Sequence, residues 1–174
     1  KHIYDIYKIK SEVIYLGANN IFFKNNPTGK SNAILCLGDI KARHALFLIE
    51  TAYKISKKRN DFEIWIAGDK DAHGKELKEL ARKLGISKII KFYGKVSDEK
   101  LASLYSNALV FTHLVKDAPF GMQVTEAMAS GTPVISWKPG GPEESITHNE
   151  TGFLISQFNH DELIKHIELF LDDS

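Results

Sequence analysis

The feature that most constrains the fold is an alternation of short apolar runs with longer segments of helical periodicity. Such alternation is typical of a parallel sheet covered by helices on both faces. The sequence therefore predicts an α/β fold with a Rossmann-like sheet. The strand candidates, each bounded by Gly, Asn or Asp, are residues 13–15, 33–37, 62–67, 89–93, 109–112, 133–137 and 153–155.

Four segments place apolar residues on one helical stripe, as a helix covering a sheet requires: 45–56, 75–84, a segment that opens at 97–100 and continues through Tyr105, and 161–171. Ser97 is the predicted N-cap of the third. A further helix of about ten residues is predicted between the turn Pro119-Phe120-Gly121 and the stop at Gly131, because glycine and proline punctuate helix ends. Few polar residues occur in it, so we expect it to be buried nearly all round.

Composition limits the classes of partner. The 174 residues suffice for one domain, and 23 Lys and Arg against 22 Asp and Glu leave a net charge of +1, which argues against nucleic acid. Cys36 is the one cysteine, so neither an internal disulfide nor a cysteine zinc site can form. No apolar run reaches membrane-spanning length and no signal peptide opens the chain, so we expect a cytoplasmic domain. Because residue 1 is not Met, we expect a fragment of a longer protein.

Glu126 lies in the middle of the apolar helix that follows Gly121, and a carboxylate there needs partners. One interpretation is that a neighbouring basic side chain or backbone amide satisfies it. The other is that it accepts hydrogen bonds from ligand hydroxyls, while the free amides at Phe120, Gly121 and Met122 bind phosphate at the positive end of the helix. The residues alone leave both open.

The segment from Asp117 to Ile135 resembles the signature of the group 1 retaining glycosyltransferases, which have the two-domain GT-B fold. The resemblance runs almost from end to end. Further matches occur in the family's order at Gly17 to Phe23, Ile34 to Gly38, Leu48 to Glu50, Gly94 to Leu101, Leu104 to Ala108, Gly140 to Glu143 and Thr151 to Leu154.

The resemblance implies a nucleoside diphosphate sugar as donor substrate, without a cofactor or metal. It implies that Val96 and its loop contact the base, that Glu126 contacts the ribose hydroxyls, and that the region of Phe120, Gly121 and Met122 binds the phosphates or the sugar. Residues 1–30 then form an interdomain segment and 31–174 the donor-binding domain. An N-terminal domain, absent here, brings the acceptor, and the resemblance is compatible with peripheral association of the parent protein with the cytoplasmic membrane face.

The sequence departs from the family pattern at charged positions. The family has a Glu where Ala118 stands and an Arg where Asp39 stands, and a carboxylate repels a diphosphate. Asp117 is the candidate substitute beside Ala118. The family's loop Lys falls on Arg43 or on His44, depending on the direction of counting. We favour Arg43, with Lys41 in place of the lost Arg, although both are also readily explained as solvated loop charges.

Other candidates are weaker. Asp69, Asp71 and His73 can be a metal site, but a solvated turn explains them better. His113, at the end of an apolar strand, is either packed or lines a cleft. The sequence thus predicts the donor-binding half of a retaining glycosyltransferase that is inactive alone. The alternative is a degenerate, non-catalytic domain that stabilises or regulates a partner, and a sugar-nucleotide epimerase ranks last.

Overall fold

The structure, a computed structural model, describes residues 2–12, 14–23, 29–38, 43–68 and 72–173, without the side chains at 2, 3, 43, 72 and 73. The strands in these ranges are β1 (Ser31–Gly38), β2 (Glu63–Gly68), β3 (Ile90–Gly94), β4 (Ala108–His113), β5 (Val134–Lys138) and β6 (Gly152–Ser156). The helices are α1 (His2–Tyr7), α2 (Arg43–Ser56), α3 (Ala72–Lys83), α4 (Asp98–Asn107), α5 (Met122–Ala129) and α6 (His160–Asp172). Single 3-10 turns lie at Asn20–Phe23, Ser87–Ile89 and Gly141–Glu144.

The six strands form one parallel sheet in the order β3-β2-β1-β4-β5-β6. The predicted Rossmann-like α/β architecture is therefore confirmed. The chain fills the sheet outward from β1 to β3 and then returns to the other side of β1 with β4, so the order reverses between β1 and β4. A crevice opens at such a switch point because the connections leave in opposite directions.

Two apolar layers hold helices against the two faces of the sheet. In β1, Ile34 and Cys36 belong to the layer that includes α2, α3 and α6, while Ala33 and Leu35 belong to the layer that includes α4 and α5. Successive side chains of a strand point to opposite faces, so a continuous apolar run fills both layers at once. This is why the buried strands were recognisable as uninterrupted apolar runs.

Two predictions about local structure are wrong. Ile14 and Tyr15 form no strand, and Ile14 is 87% exposed. An apolar run becomes a strand only where a sheet offers hydrogen-bond partners, and the ring of Tyr15 instead stacks on Phe120 at 6.0 Å between centroids. Helix α5 is not buried all round, because Gln123 is exposed and only Val124 and Ala127 are fully buried in it.

Polar contacts lie at the end of the sheet where the strands begin, which we call the amino edge; the carboxyl edge is the end where the strands finish. The ammonium group of Lys30 donates to the carbonyl oxygens of Ala108 and Gly131 and to Oγ1 of Thr132, at 3.0 to 3.1 Å. At the outer part of this edge, the Arg59 guanidinium pairs with Asp61 and Asp172. Lys30 thereby places a positive charge at the carbonyl ends of α4 and α5, where helix dipoles favour cations. No described helix is long and apolar enough to span a bilayer.

Candidate functional site

A cleft of about 260 Å³ lies at the opposite, carboxyl edge of the sheet. It opens at the switch point between β1 and β4, where the carboxyl ends of four neighbouring strands, β3, β2, β1 and β4, come together. Its lining is mainly apolar with a few polar groups, which is the usual composition of a small-molecule site. The lining residues are Leu37, Gly38, His44, Ala67, Gly68, Lys95, Val96, Leu101, Phe111, Thr112, His113, Leu114, Val115 and Gln123.

Helix α5 begins beside this cleft at Gly121, which serves as N-cap in the left-handed conformation with φ of 85°. A side chain there is unfavourable on two counts, since a Cβ would also lie 3.3 Å from Cε1 of His113 and from Pro142. Glycine offers no side-chain cap, and the first turn contains no acidic residue. The first amides of a helix lack intrahelical acceptors, so this end of α5 suits an anion.

The loop before α5 is held by a second loop, which follows β5. The amide of Gly141 donates to the carbonyl oxygen of Ala118 at 2.7 Å, and the Glu143 carboxylate accepts from the amide of Gly140 at 2.9 Å. A Cβ on Gly141 would overlap the backbone of Pro119 and Phe120. The close contact of the two backbones therefore fixes the position at which α5 starts.

Glu126 lies one helical turn beyond Gln123, on the side of α5 that faces α4, and it is half-buried. The buried phenol of Tyr105 donates to its carboxylate at 3.4 Å. Burial raises the pKa of Glu126, the Tyr105 hydrogen bond opposes that rise, and the charge of Asp98 adds to it. A carboxylate with one long hydrogen bond retains acceptor capacity for a ligand.

His113, at the end of β4, is buried beneath the start of α5. Its Nδ1 lies 3.3 Å from Oγ of Ser136, and the Gln123 side chain nearby acts to raise the pKa of the ring. Burial, with a smaller contribution from His44, lowers the pKa of His113 to about 4. The imidazole is therefore neutral at physiological pH and cannot supply a fixed positive charge to the cleft.

The structure places the predicted site residues at several positions around this edge. Val96 lines the cleft, and Gly121 and Met122 lie at the start of α5. The Phe120 side chain instead lines a separate apolar groove with Tyr15 and Met128. Nothing in the arrangement tests which of them contacts a ligand, so their roles remain predictions.

The charged residues predicted for the site either are not among the residues that line the cleft or lie outside the described residues. Asp117 is exposed, has a positive φ of 51° and lies 3.9 Å from the Lys116 ammonium, while Ala118 is buried. Lys41 and Asp39 lie outside the described residues, and Arg43 is the first residue of α2 with its side chain outside them. Asp69 and Asp71 are also outside, and no group of three metal-ligating side chains occurs within the described ranges.

Sequence reasoning missed Gln123, which reaches the cleft from the first turn of α5. A signal was present: residues three apart share a helical face, so Gln123 lies on the same side as Glu126. Thr112, Leu114 and Val115 were also missed as lining residues. Their positions follow from strand ends and helix orientation, which only the assembled sheet reveals.

Comparison with known proteins gives consistent matches. Residues 18–174 match the family described as Glycosyl transferases group 1. An uncharacterized glycosyltransferase of Methanocaldococcus jannaschii is 33% identical over 127 residues, covering 73% of this chain and 32% of that protein. A glycosyltransferase structure from Rickettsia africae superposes with a TM-score of 0.82 and 26% identity, over 98% of this chain and 50% of the other. Anabaena HepE, in complex with UDP and glucose, gives 0.79 and 24%, over 93% and 47%.

The sheet order, the cleft at its switch point and these superpositions define the class as the Rossmann-like domains of the GT-B fold. The chain spans about half the length of the similar structures. It belongs to the group 1 glycosyltransferase family and corresponds to the C-terminal-type domain, as the motif resemblance predicts.

Proposed function

We propose that this domain binds the nucleoside diphosphate sugar donor of a glycosyl transfer reaction. The observation that carries the proposal is the start of α5, where an uncapped glycine turn lies beside the switch-point cleft and a half-buried carboxylate follows within the helix. The helix start offers amides to a diphosphate, and Glu126 offers an acceptor to ribose hydroxyls. The UDP and glucose bound to HepE support a ligand of this class.

The base would then lie against Val96 and Leu101, which line the cleft beyond the end of β3. As negative charge develops on the departing diphosphate, the start of α5 would stabilise it, together with Arg43 or Lys41. The phosphates are thus assigned to backbone and cationic groups, and the ribose to Glu126. Asp117 is exposed and paired with Lys116, and the proposal gives it no role in donor binding.

In the parent protein, the transfer would retain the anomeric configuration of a hexosyl group, and an N-terminal domain would bring the acceptor. Residues 1–30 would connect the two domains, and the domain alone would bind the donor without turnover. The proposal requires no cofactor and places the reaction in the cytoplasm. Binding of the donor in the absence of an acceptor is therefore the property to test first.

The test is a thermal-shift and calorimetric titration of this chain with UDP, GDP, ADP, UDP-glucose and GDP-mannose. A ligand that binds only the folded state raises the midpoint of unfolding, and at a given concentration a tighter ligand raises it more. We expect one base to give a selective rise. No rise with any nucleotide, in a folded protein, would contradict the proposal.

Glu126→Gln should weaken binding of the preferred nucleotide by about 1 to 3 kcal/mol, because an amide is a poorer acceptor for hydroxyl donors than a carboxylate. Glu150→Gln, at an exposed turn before β6, is the matched control and should bind normally. Affinity unchanged by Glu126→Gln would remove this residue from the site.

Arg43→Ala tests the phosphate clamp. If the guanidinium contacts the diphosphate, the substitution should weaken UDP or GDP by about tenfold or more and leave the corresponding nucleoside unaffected. The calorimetric comparison of nucleoside with diphosphate measures this difference directly. Equal losses for the two ligands would contradict a phosphate role.

One observation favours a degenerate, non-catalytic domain as the second candidate. Ala118 is buried with an apolar side chain, and the neighbouring Asp117 is exposed and paired with Lys116, so the loop presents no described carboxylate to the cleft. Such a domain would stabilise or regulate a partner. The titration separates the two candidates, since a domain that binds no nucleotide supports this one.

A further inference from the structure

The cleft at the carboxyl edge extends across the ends of four strands, and its two ends present different groups to a ligand. Neighbouring strands lie about 4.8 Å apart, so the ends of β3 and β4 are separated by three such spacings, about 14 Å. The start of α5 follows β4, whereas Lys95 and Val96 follow β3. A ligand that fills the cleft therefore meets the helix start at one end and the loop after β3 at the other.

The two ends of the cleft fix the direction in which a nucleotide lies, because a nucleoside diphosphate carries its base and its phosphates at opposite ends. With the phosphates at the start of α5, the ribose lies in the middle and the base reaches towards the end of β3. Val96 and Leu101 line this end and offer an apolar surface to the ring. The edge of the base that points away from the ribose then lies nearest the loop that begins at Lys95.

Lys95 is the polar side chain at the β3 end of the described lining. The other polar side chains that line the cleft belong to α2, β4 and α5, and they are His44, Thr112, His113 and Gln123. Two of these are engaged within the sheet, since the Thr112 hydroxyl donates to the carbonyl oxygen of Leu35 at 3.1 Å and the His113 ring lies against Ser136. Recognition of polar atoms on the base therefore falls to Lys95 among these side chains.

The ammonium group of Lys95 is open to a ligand. Lys95 is exposed, and it forms no ion pair with a carboxylate of the described residues. Lys91, earlier in the same strand, is by contrast paired with Glu63 at 2.7 Å. A lysine ammonium group donates and never accepts, and its flexible four-carbon stem lets it follow an acceptor. Lys95 can therefore contact an acceptor atom of the base and has nothing to offer a donor group.

The common bases differ in the group that they carry on the edge away from the ribose. Uracil and guanine have a keto oxygen there, which accepts, whereas cytosine and adenine have an amino group, which donates. We infer that Lys95 donates a hydrogen bond to this keto oxygen, and that the domain therefore selects a uridine or guanosine diphosphate sugar over the cytidine or adenosine form. This inference rests on the proposed function. An amino group facing the ammonium group would leave two donors without an acceptor, which disfavours the wrong base.

The binding test compares, by calorimetry, UDP with CDP and GDP with ADP, which are pairs matched in ring size. In the unmodified protein, the keto member of the tighter pair should bind at least about fivefold more tightly than the amino member. Lys95→Met should weaken the keto member by about fivefold and leave the amino member unchanged, so that the preference disappears. Lys88→Met, at an exposed position before the opposite end of β3, is the matched control and should keep the preference.

Lys95→Glu provides a second readout, because a carboxylate accepts from an amino group and repels a keto oxygen. The substitution should reverse the preference in favour of CDP or ADP. Its negative charge weakens both members of a pair by electrostatic repulsion of the phosphates, so the ratio of the two affinities is the quantity to compare. A ratio that still favours the keto member would contradict the contact.

Three results would overturn the inference and leave the donor proposal standing. Equal weakening of both members of a pair by Lys95→Met would mean that the ammonium group contacts the phosphates. Unchanged affinities would mean that it contacts neither base nor phosphate, and an unmodified protein that binds the amino member as tightly as the keto member would show no selection. Failure of the unmodified, folded protein to bind any nucleotide would instead contradict the donor proposal itself, and the base contact with it.

Discussion

The two edges of the sheet are built in opposite ways. At the amino edge, Lys30 makes three hydrogen bonds and Arg59 is paired with two carboxylates, so charged groups there have partners. The start of α5, at the carboxyl edge, has no side-chain cap, and Glu126, further along the same helix, has one long hydrogen bond among the described residues. The difference teaches that polar groups satisfied by the protein hold this domain together, while under-satisfied ones mark where a ligand would bind.

The contrast between the two edges is clearest in the free energy that ionised Glu126 costs the folded state. Burial raises its folded pKa above that of the unfolded chain, so ionisation opposes folding at pH values above the unfolded pKa. This cost declines as the pH falls below the raised folded pKa, and it is gone below the unfolded pKa, where both states are protonated. Residues that lower stability in the free protein are expected at binding sites rather than in frameworks.

The largest effect is expected from Gly141→Ala at the carboxyl edge, because the added Cβ overlaps the backbone of Pro119 and Phe120. Overpacking of this kind costs about 1 to 3 kcal/mol of stability, and displacement of the α5 start should weaken nucleotide binding by more than about tenfold. Denaturant unfolding and calorimetry measure the two. Gly74→Ala, where a Cβ meets nothing within 4 Å, is the control and should be neutral or stabilising.

Lys30→Met should affect stability alone. It leaves two carbonyl oxygens and the Thr132 hydroxyl without the ammonium donor, at a cost of about 1 to 3 kcal/mol in the free energy of unfolding. Nucleotide affinity should stay the same, because the substitution lies at the opposite edge from the cleft. Lys58→Met, at an exposed position after α2, controls for loss of charge. A marked fall in affinity would break the division between the edges.

Tyr105→Phe should give the smallest effect, about 0.5 to 1.5 kcal/mol in binding, because it removes one long hydrogen bond from Glu126. Its signature is the pH profile. Without the phenol, nothing offsets the effect of burial and of the Asp98 charge, so the pKa of Glu126 rises further. On acidification, the variant should therefore begin to lose nucleotide affinity at a higher pH than the unmodified protein. Calorimetric titrations with UDP or GDP across pH 5 to 8 measure the profile. Tyr53→Phe, on α2, should leave the profile unshifted, and an unshifted Tyr105→Phe would show that the phenol does not act on Glu126.

The sequence was sufficient to predict the strands of the sheet because buried parallel strands need apolar residues on both faces. The runs around Ile34, Ile64 and Val110 met that condition and became β1, β2 and β4. Ile14 and Tyr15 looked similar locally but pair with no strand of the sheet. Periodicity records which side chains prefer burial, and it does not record which backbone groups find partners.

Candidate site residues could be predicted from the sequence where they lie in one segment of the chain. Contacts between residues of different segments could not. Gly121 and Glu126 belong to one turn and helix, so the sequence could single them out as candidates, although it left a purely structural role for Glu126 open. The bond between Ser136 and His113 joins two strands 23 residues apart, and the Gly141 contact with Ala118 joins two loops. Neither is a pattern in the sequence, because both depend on how β4 and β5 align.

The pairing of β1 with β4 also sets the order in which the domain can mature during synthesis. Strands β1, β2 and β3 adjoin one another along the chain, but the cleft needs β4 and the start of α5, more than 70 residues after β1. A growing chain therefore has half a sheet before it has any place for a nucleotide. Ligand cannot guide the early steps of folding, and it can only trap the finished domain after its second half has docked.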